Sequence, residues 1–411
     1  MFKNRAYIFY LLGSVISAIG NGMQFIAITW LILELTQSPT QVGITLAISF
    51  IPLMCLASFG GLIADQYDRR YLMILSNVFR FLAICIVPLV YWFSELNIFV
   101  IYIMQLFNAI GTSFFIPANA GFVREIVDDK NMYRANALTQ VWIQVGKLSG
   151  AGLGGVFVAL FGSINVVLIN ALTFLVAAFF IFYCRRGYTP PRVGNFKQRK
   201  FWGDLNAGFT LLIKQKSLLF YVFLSLLPAV FVHIYNLAVG VFVKQELNEG
   251  ANALGFIDGG YALGAMVLGF LISRRSDWLK SKQLIPLVIL VMAVPFILFG
   301  FSQTVPFATI SVFLMGAAFQ IGFTMFNTLI QITPPKAFVG RVTGFAKSVQ
   351  SLCAFVSLLF LGAWLETHSV RVLLVSIFVL LIFTSLLIYI TFMFSKKQYK
   401  TNEVLEKANE T

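Results

Sequence analysis

One carboxylate in this chain falls where water is scarce. In "LGFIDGGYALG" Asp258 sits inside an apolar run, with Gly255, Gly259 and Gly260 leaving room for water or for a neighbouring helix. Low-dielectric surroundings favour the neutral form of a carboxyl group, so a residue placed there can take up and release a proton as its environment changes. Glu34, just before "LTQS", is a second candidate acid; it ends an apolar run, where a solvated helix end is the plainer reading. A different chemistry gathers in "GGLIADQYDRR", where two aspartates and two arginines arrive within the six residues from Asp65 to Arg70. Gly60 and Gly61 permit two helices to approach closely. Asp65 can accept hydrogen bonds from helix-terminal amides or from an arginine across an interface. Arg69 and Arg70 can serve as topology charges or as partners for acids such as Asp128 and Asp129.

These groups need elements to hold them, and composition says which. The chain is 59% hydrophobic and 11% charged, with 16% aromatic residues and a mean hydropathy of +0.86. A soluble core cannot absorb that much apolar surface in 411 residues, whereas a bilayer takes up spans of about 20 apolar residues. Twelve apolar segments follow one another, at 7–33, 40–63, 71–93, 97–118, 138–160, 164–184, 218–243, 252–273, 284–301, 305–331, 342–362 and 369–394. The first begins after "MFKNR" and runs on with no clear cleavage site, so it reads as an uncleaved span. The four cysteines fall inside apolar runs with no metal-ligand or disulfide spacing.

Links between the segments alternate between short uncharged ones and basic ones. With both termini cytoplasmic, 25 of the 30 Lys and Arg residues fall on that side and only Lys244 and Arg371 on the other. That asymmetry sets the orientation by the positive-inside rule, with the cell membrane as the expected location. The net charge of +14 is therefore membrane topology and not a nucleic-acid footprint.

The chain divides into residues 1–184, a basic link 185–217, residues 218–394 and a tail 395–411. In the link, Trp202, Leu205, Phe209 and Leu212 recur at helical spacing, which predicts an amphipathic helix on the inner leaflet. "NAGFVREIVDDKNMYR" before the fifth span and "NTLIQITPPKAFVGR" before the eleventh share a pattern ending in arginine, and "GFLISRRSDWLK" is a degraded copy of the elbow at 60–70. Two six-span halves joined by a basic link is an arrangement of repeat-built secondary transporters. The expected fold is all-α and membrane-integral: twelve transmembrane helices in two pseudo-symmetric bundles around a central cavity.

The elbow "GGLIADQYDRR" resembles the Gly-x-x-x-Asp-x-x-x-Arg-Arg signature between spans two and three of the major facilitator superfamily. "ITWLILELTQSPTQVGI", "FFIPANAGFVREIV", "FWGDLNAGFTLL" and "LGFIDGGYALGAMVLG" are similar to a subgroup of macrolide exporters, siderophore exporters and multidrug antiporters. The resemblance implies that Gly61, Asp65, Arg69 and Arg70 form a cytoplasmic latch, closing near Arg341 at the start of the eleventh span. It implies a cavity lined by spans one, four, seven and ten. Their mid-membrane polar residues are Asn21, Gln24, Asn108, Thr112, His233, Tyr235, Asn236, Gln320, Thr324 and Asn327, with Phe25, Trp30 and Phe231 nearby. Neutral hydrogen-bonding groups among large apolar walls suit a bulky amphiphile.

Three basic residues lie within spans. Arg80 is expected to pair with Asp65 or another span, while Lys147 and Lys347 sit close enough to span ends to snorkel. Asn21 and Asn77 stand where many relatives carry acids, and Gln105 where many drug antiporters carry an arginine, which puts more weight on Asp258. "VGKLSGAGLGGVFVALFG" resembles the glycine-rich exporter motif, although such spacing also serves ordinary helix packing.

The reading that results is export of a bulky organic compound by proton antiport; uptake by symport on the same fold is the alternative. An enzyme is disfavoured, since His233 and His368 form no metal-hydrolase pair and no Walker loop is present. No cofactor and no metal are expected. The expected partners are the small molecule, protons and membrane lipid, with no nucleic acid, and the protein is expected to be a monomer.

Overall fold

In hydrocarbon every backbone polar group must be satisfied within its own segment, so apolar runs of this length form helices, and in the computed structural model they do. The structure describes residues 5–127, 132–184, 215–274, 281–334 and 339–409. Helix α1 is Arg5–Thr36; α2 has two segments, Pro39–Ile48 and Phe50–Gln66, meeting at Ser49; α3 is Arg69–Phe93 and α4 Ile98–Ile126. Next come α5 Met132–Phe161, α6 Ser163–Tyr183, α7 Lys216–Gln245 and α8 Ala251–Arg274. The last four are α9 Ile285–Gly300, α10 Val305–Ile332, α11 Val339–Trp364 and α12 Val370–Asn409. Among the described residues twelve helices are long and apolar enough to cross a membrane. The link expected to carry an amphipathic helix lies outside the described residues between 185 and 214, and residues 395–409, expected as a tail, continue α12.

Local chemistry sets the helix ends. Ser38 caps α2 by accepting from the Gln41 amide, with Pro39 in the first turn; Asn97 caps α4 from the Phe99 amide. Asp68 accepts from the Arg70 and Tyr71 amides at 2.8 and 3.3 Å and so starts α3. Along α3, Leu75, Leu82 and Leu89 repeat every seven residues and stay exposed, while Asn77, Arg80, Ile84 and Val87 turn inward. One face is made for lipid and the other for protein.

Helices α1 to α6 pack mainly among themselves, as do α7 to α12, and the two sets meet along α5 with α8 and along α2 with α11. Adding six to each helix number converts one meeting into the other, as repeat symmetry requires. At each meeting glycine brings backbone against backbone. A methyl on Gly155 would stand 2.6 Å from the Ala251 carbonyl oxygen and 3.0 Å from the Gly255 Cα; one on Gly43 would stand 2.5 Å from the Leu358 carbonyl oxygen. These glycines are where two helices approach too closely for any side chain.

Twelve passes return the chain to its starting face, so both termini lie at one end of the bundle. The opposite, far end is tied across the halves. The carboxylate of Glu366, after α11, accepts from the Ser38 hydroxyl and from the Thr40 amide at 3.2 Å, and the Thr40 hydroxyl donates to the Gly362 carbonyl at 3.1 Å. At the same end Lys244 of α7 donates to the Leu33 carbonyl of α1 at 2.5 Å and lies over the Trp30 ring.

At the terminal end the elbow is anchored within its own half. Arg69 donates to Glu125 at 2.5 Å and to the Ala64 carbonyl at 3.0 Å, and the Arg70 guanidinium faces the Tyr71 and Phe182 rings. Glu125, on the last turn of α4, is thus one partner of Arg69; Asp128 and Asp129, expected as partners, lie outside the described residues. The surroundings of Gly61 and the side chains of Asp65 and Arg341, the remaining latch residues, lie outside them too.

Two predictions follow from these ties. Truncating Glu125 removes a partly buried charge-assisted hydrogen bond from Arg69, so Glu125→Ala is expected to cost roughly 1–3 kcal/mol. The double change Arg69→Met with Glu125→Leu is expected to recover most of it, read as thermal midpoints in detergent. The Ser38 hydrogen bond holds the Glu366 carboxyl below its ordinary range, against a smaller opposing effect of burial. Its tie across the halves is therefore present above the ordinary carboxylate pKa and lost as pH falls through the lowered value. Spin labels at Gln37 and Thr367 are expected to separate in that acid window in the wild type, and to show no such transition in Glu366→Gln.

Candidate functional site

A cavity of about 450 Å³ opens between the halves, walled by α1, α5, α7, α8 and α10. Asp258 of α8 and Lys147 of α5 both line it. The small residues around Asp258 bring α8 against α5, which sets the carboxylate facing the basic helix. Tyr235 of α7 donates to Asp258 Oδ1 at 3.2 Å. That tyrosine is fully buried and stacks on Tyr261 with centroids 4.8 Å apart, so it fixes the carboxylate from behind. The two charges face the same space, and no direct ion pair joins them. Lys147 is exposed to the cavity: the snorkelling expected of it is replaced by a place beside the one carboxylate on the wall.

The rest of the wall mixes amides with rings. Asn21, Asn236 and Gln320 lie on it as expected, and so do Gln144, Tyr261, Phe319 and Phe323, which sequence reasoning passed over. Their signal was available in helical spacing, since Gln144 is one turn before Lys147 and Tyr261 one turn after Asp258. Phe25 lines the cavity too; Phe231 is instead buried against Phe296, with centroids 5.9 Å apart, and Trp30 donates to Glu34 at the far end. Glu34 is exposed there, away from the cavity.

A smaller cavity of about 170 Å³ adjoins the first, sharing Asn21 and Phe25 and adding Gln24, Gln105 and Asn108. Arg80 lies buried behind it. Its Nε donates to Asn108 Oδ1 at 3.0 Å, its Nη2 to Asn21 Oδ1 at 3.4 Å, and its guanidinium sits 3.9 Å over the Phe174 ring. The pairing is thus with other spans, through two amide oxygens and an aromatic face, which together stabilise a cation without neutralising it, while the side chain of Asp65 lies outside the described residues. Gln24 accepts from Asn170 and donates to Met104 Sδ at 3.7 Å. One turn before Arg80, Asn77 is 1% exposed with neither amide atom hydrogen-bonded.

Other expected wall residues line neither of these two cavities. Tyr235 lies behind the wall. His233 is half-buried, edge-on to Phe50 at 4.8 Å. Thr112 donates to the Asn108 carbonyl, and Thr324 donates to the Gln320 carbonyl while accepting from its side chain. Asn327 donates to the Phe323 carbonyl of its own helix. Lys347 is exposed, its ammonium 5.2 Å from the Phe323 ring.

Comparison with known proteins agrees with this architecture. The family described as transmembrane secretion effector matches residues 2–409. The uncharacterized MFS-type transporter YfiS of Bacillus subtilis is 25% identical over 87% of this chain and 86% of its own length. Macrolide efflux protein A of Streptococcus pyogenes is 20% identical over 84% of this chain and 86% of its own, and the enterobactin exporter EntS of Shigella flexneri 24% identical over 81% and 78%. Among solved structures, the nucleoside transporter NupG superposes with a TM-score of 0.69 at 14% identity, covering 94% of this chain and 98% of that one. At that identity the likeness speaks to the fold alone.

Proposed function

Since the chain belongs to the transmembrane secretion effector family of major facilitator transporters, we propose that it exports a bulky amphiphile by proton antiport, with Asp258 carrying the proton. The observation that carries the reading is the position of Asp258 on the cavity wall between the halves, with Lys147 facing the same space. Ionised, the carboxylate only accepts hydrogen bonds; protonated, it becomes a donor. A substrate hydroxyl or amide N–H held by the ionised form is released when the proton arrives, so proton and substrate exclude one another. Mutual exclusion at one site is what antiport requires. Tyr235 keeps the carboxylate aimed while the substrate is exchanged.

Export is supported by the family and by efflux proteins among the relatives, whose printed names include a macrolide efflux protein and an enterobactin exporter. The cavity's size and mixture of rings and amides suit one large amphiphile better than a small polar solute. The basic links support a reading with both termini in the cytoplasm and the protein in the cell membrane. In that orientation the Glu366 and Lys244 ties close the outer face. We read the working unit as a monomer, with membrane lipid around it.

The test uses everted vesicles holding a proton gradient, with wild type and Asp258→Asn side by side. A macrolide, a catechol siderophore, a carboxylate siderophore and a lipophilic cation are added in turn and a pH-sensitive dye is followed. One of them is expected to dissipate the gradient in the wild type and not in the variant. An equal response in both removes Asp258 from the mechanism; proton flow in the direction of the compound identifies symport instead.

A further inference from the structure

The smaller cavity has a polarity that its residue types do not announce. Asparagine and glutamine offer both donors and acceptors, but here Arg80 decides which face outward. A guanidinium has only donors, and it holds Oδ1 of Asn108 and Oδ1 of Asn21. Each NH2 group is thereby turned away from the cation. Both asparagines line the smaller cavity. Gln24, on the same wall, also has its oxygen taken, by Asn170, and gives an N–H to the weak acceptor Met104 Sδ. Gln105 alone departs from the pattern: its Nε2 donates to Ser49 at 2.6 Å and its oxygen is left over. No carboxylate lines this space, and the nearest charge behind it is the buried cation.

We propose that this smaller cavity receives an acceptor-only head group of the transported amphiphile, a carboxylate above all. Asn21 and Asn108 are the contacting donors, and Arg80 is the positioning residue that orients both amides. The inference rests on the reading of the main cavity as the transport site. Because Asn21 and Phe25 line both spaces, one molecule can place its head beside Asn108, its apolar body among Phe25, Phe319 and Phe323, and a donor group at Asp258. An ammonium head is disfavoured twice over, by the cation behind the wall and by amide oxygens already engaged.

The experiment measures binding with no proton gradient, so its result is independent of antiport. The full chain in neutral-lipid nanodiscs is titrated with pyrenebutanoate, its primary amide and pyrenebutyltrimethylammonium, read by energy transfer from tryptophan. Wild type is expected to bind the carboxylate about tenfold more tightly than the amide, the scale of one charge-assisted hydrogen bond. In Arg80→Met and in Asn108→Leu that ratio is expected to fall to about twofold while the amide's own Kd moves little; a purely structural role would weaken all three probes together. If Arg80→Met does not fold, Asn108→Leu decides. A ratio that persists in both variants overturns the proposal, as does the absence of any preference for the carboxylate in wild type. A ratio that falls in Lys147→Met and persists in the other two places the head group in the main cavity and overturns it equally. None of these results bears on Asp258, whose failure is read only in the vesicle assay.

Discussion

Hydrocarbon offers no hydrogen bonds and little screening, and most features of this protein are answers to that constraint. Backbone groups are satisfied by winding every span into a helix. Side-chain hydroxyls donate to carbonyls of their own helix, as at Thr45, Thr112 and Thr324. Charges find several solutions, three of which contrast. Arg69 finds a carboxylate, Arg80 finds amide oxygens and a ring, and Lys147 with Asp258 faces a cavity. Of these, only the third leaves the charge free to change partner.

The same constraint explains what could be read from the chain and what could not. Span number, the elbow and the placement of Asp258 inside a span all follow from hydropathy along one dimension, and local patterns are enough to find them. Partner identity is a matter of which faces meet. Asn108 is 28 residues from Arg80 and Asn21 is 59 away, and nothing in either neighbourhood singles out the pair. Tyr235 has the look of a cavity residue because its helix contributes Asn236 to the wall; the next position along a helix is turned by about 100°, enough to bury it behind Asp258. Lys147 sits at a depth that allows snorkelling, and only the approach of α8 through Gly155 and Gly255 shows that a cavity opens beside it.

The elbow and the far-end ties divide the labour between the two ends of the bundle. Arg69 holds the turn between α2 and α3 to the end of α4, within one half. The contacts of Glu366 and Lys244 run between halves. The far-end contacts are therefore ones that must break wherever the two halves separate at that end.

The bare glycine faces at α5 with α8 and at α2 with α11 carry a mechanical consequence. Where side chains interdigitate, sliding one helix past another means lifting knobs out of holes and changing rotamers. Backbone resting on backbone has no such teeth. The two meetings can act as bearings on which the halves turn against a shallow barrier, leaving the balance between open and closed forms to a few polar contacts at the rim. Such a design lets a ligand worth only a few hydrogen bonds tip an assembly of twelve helices.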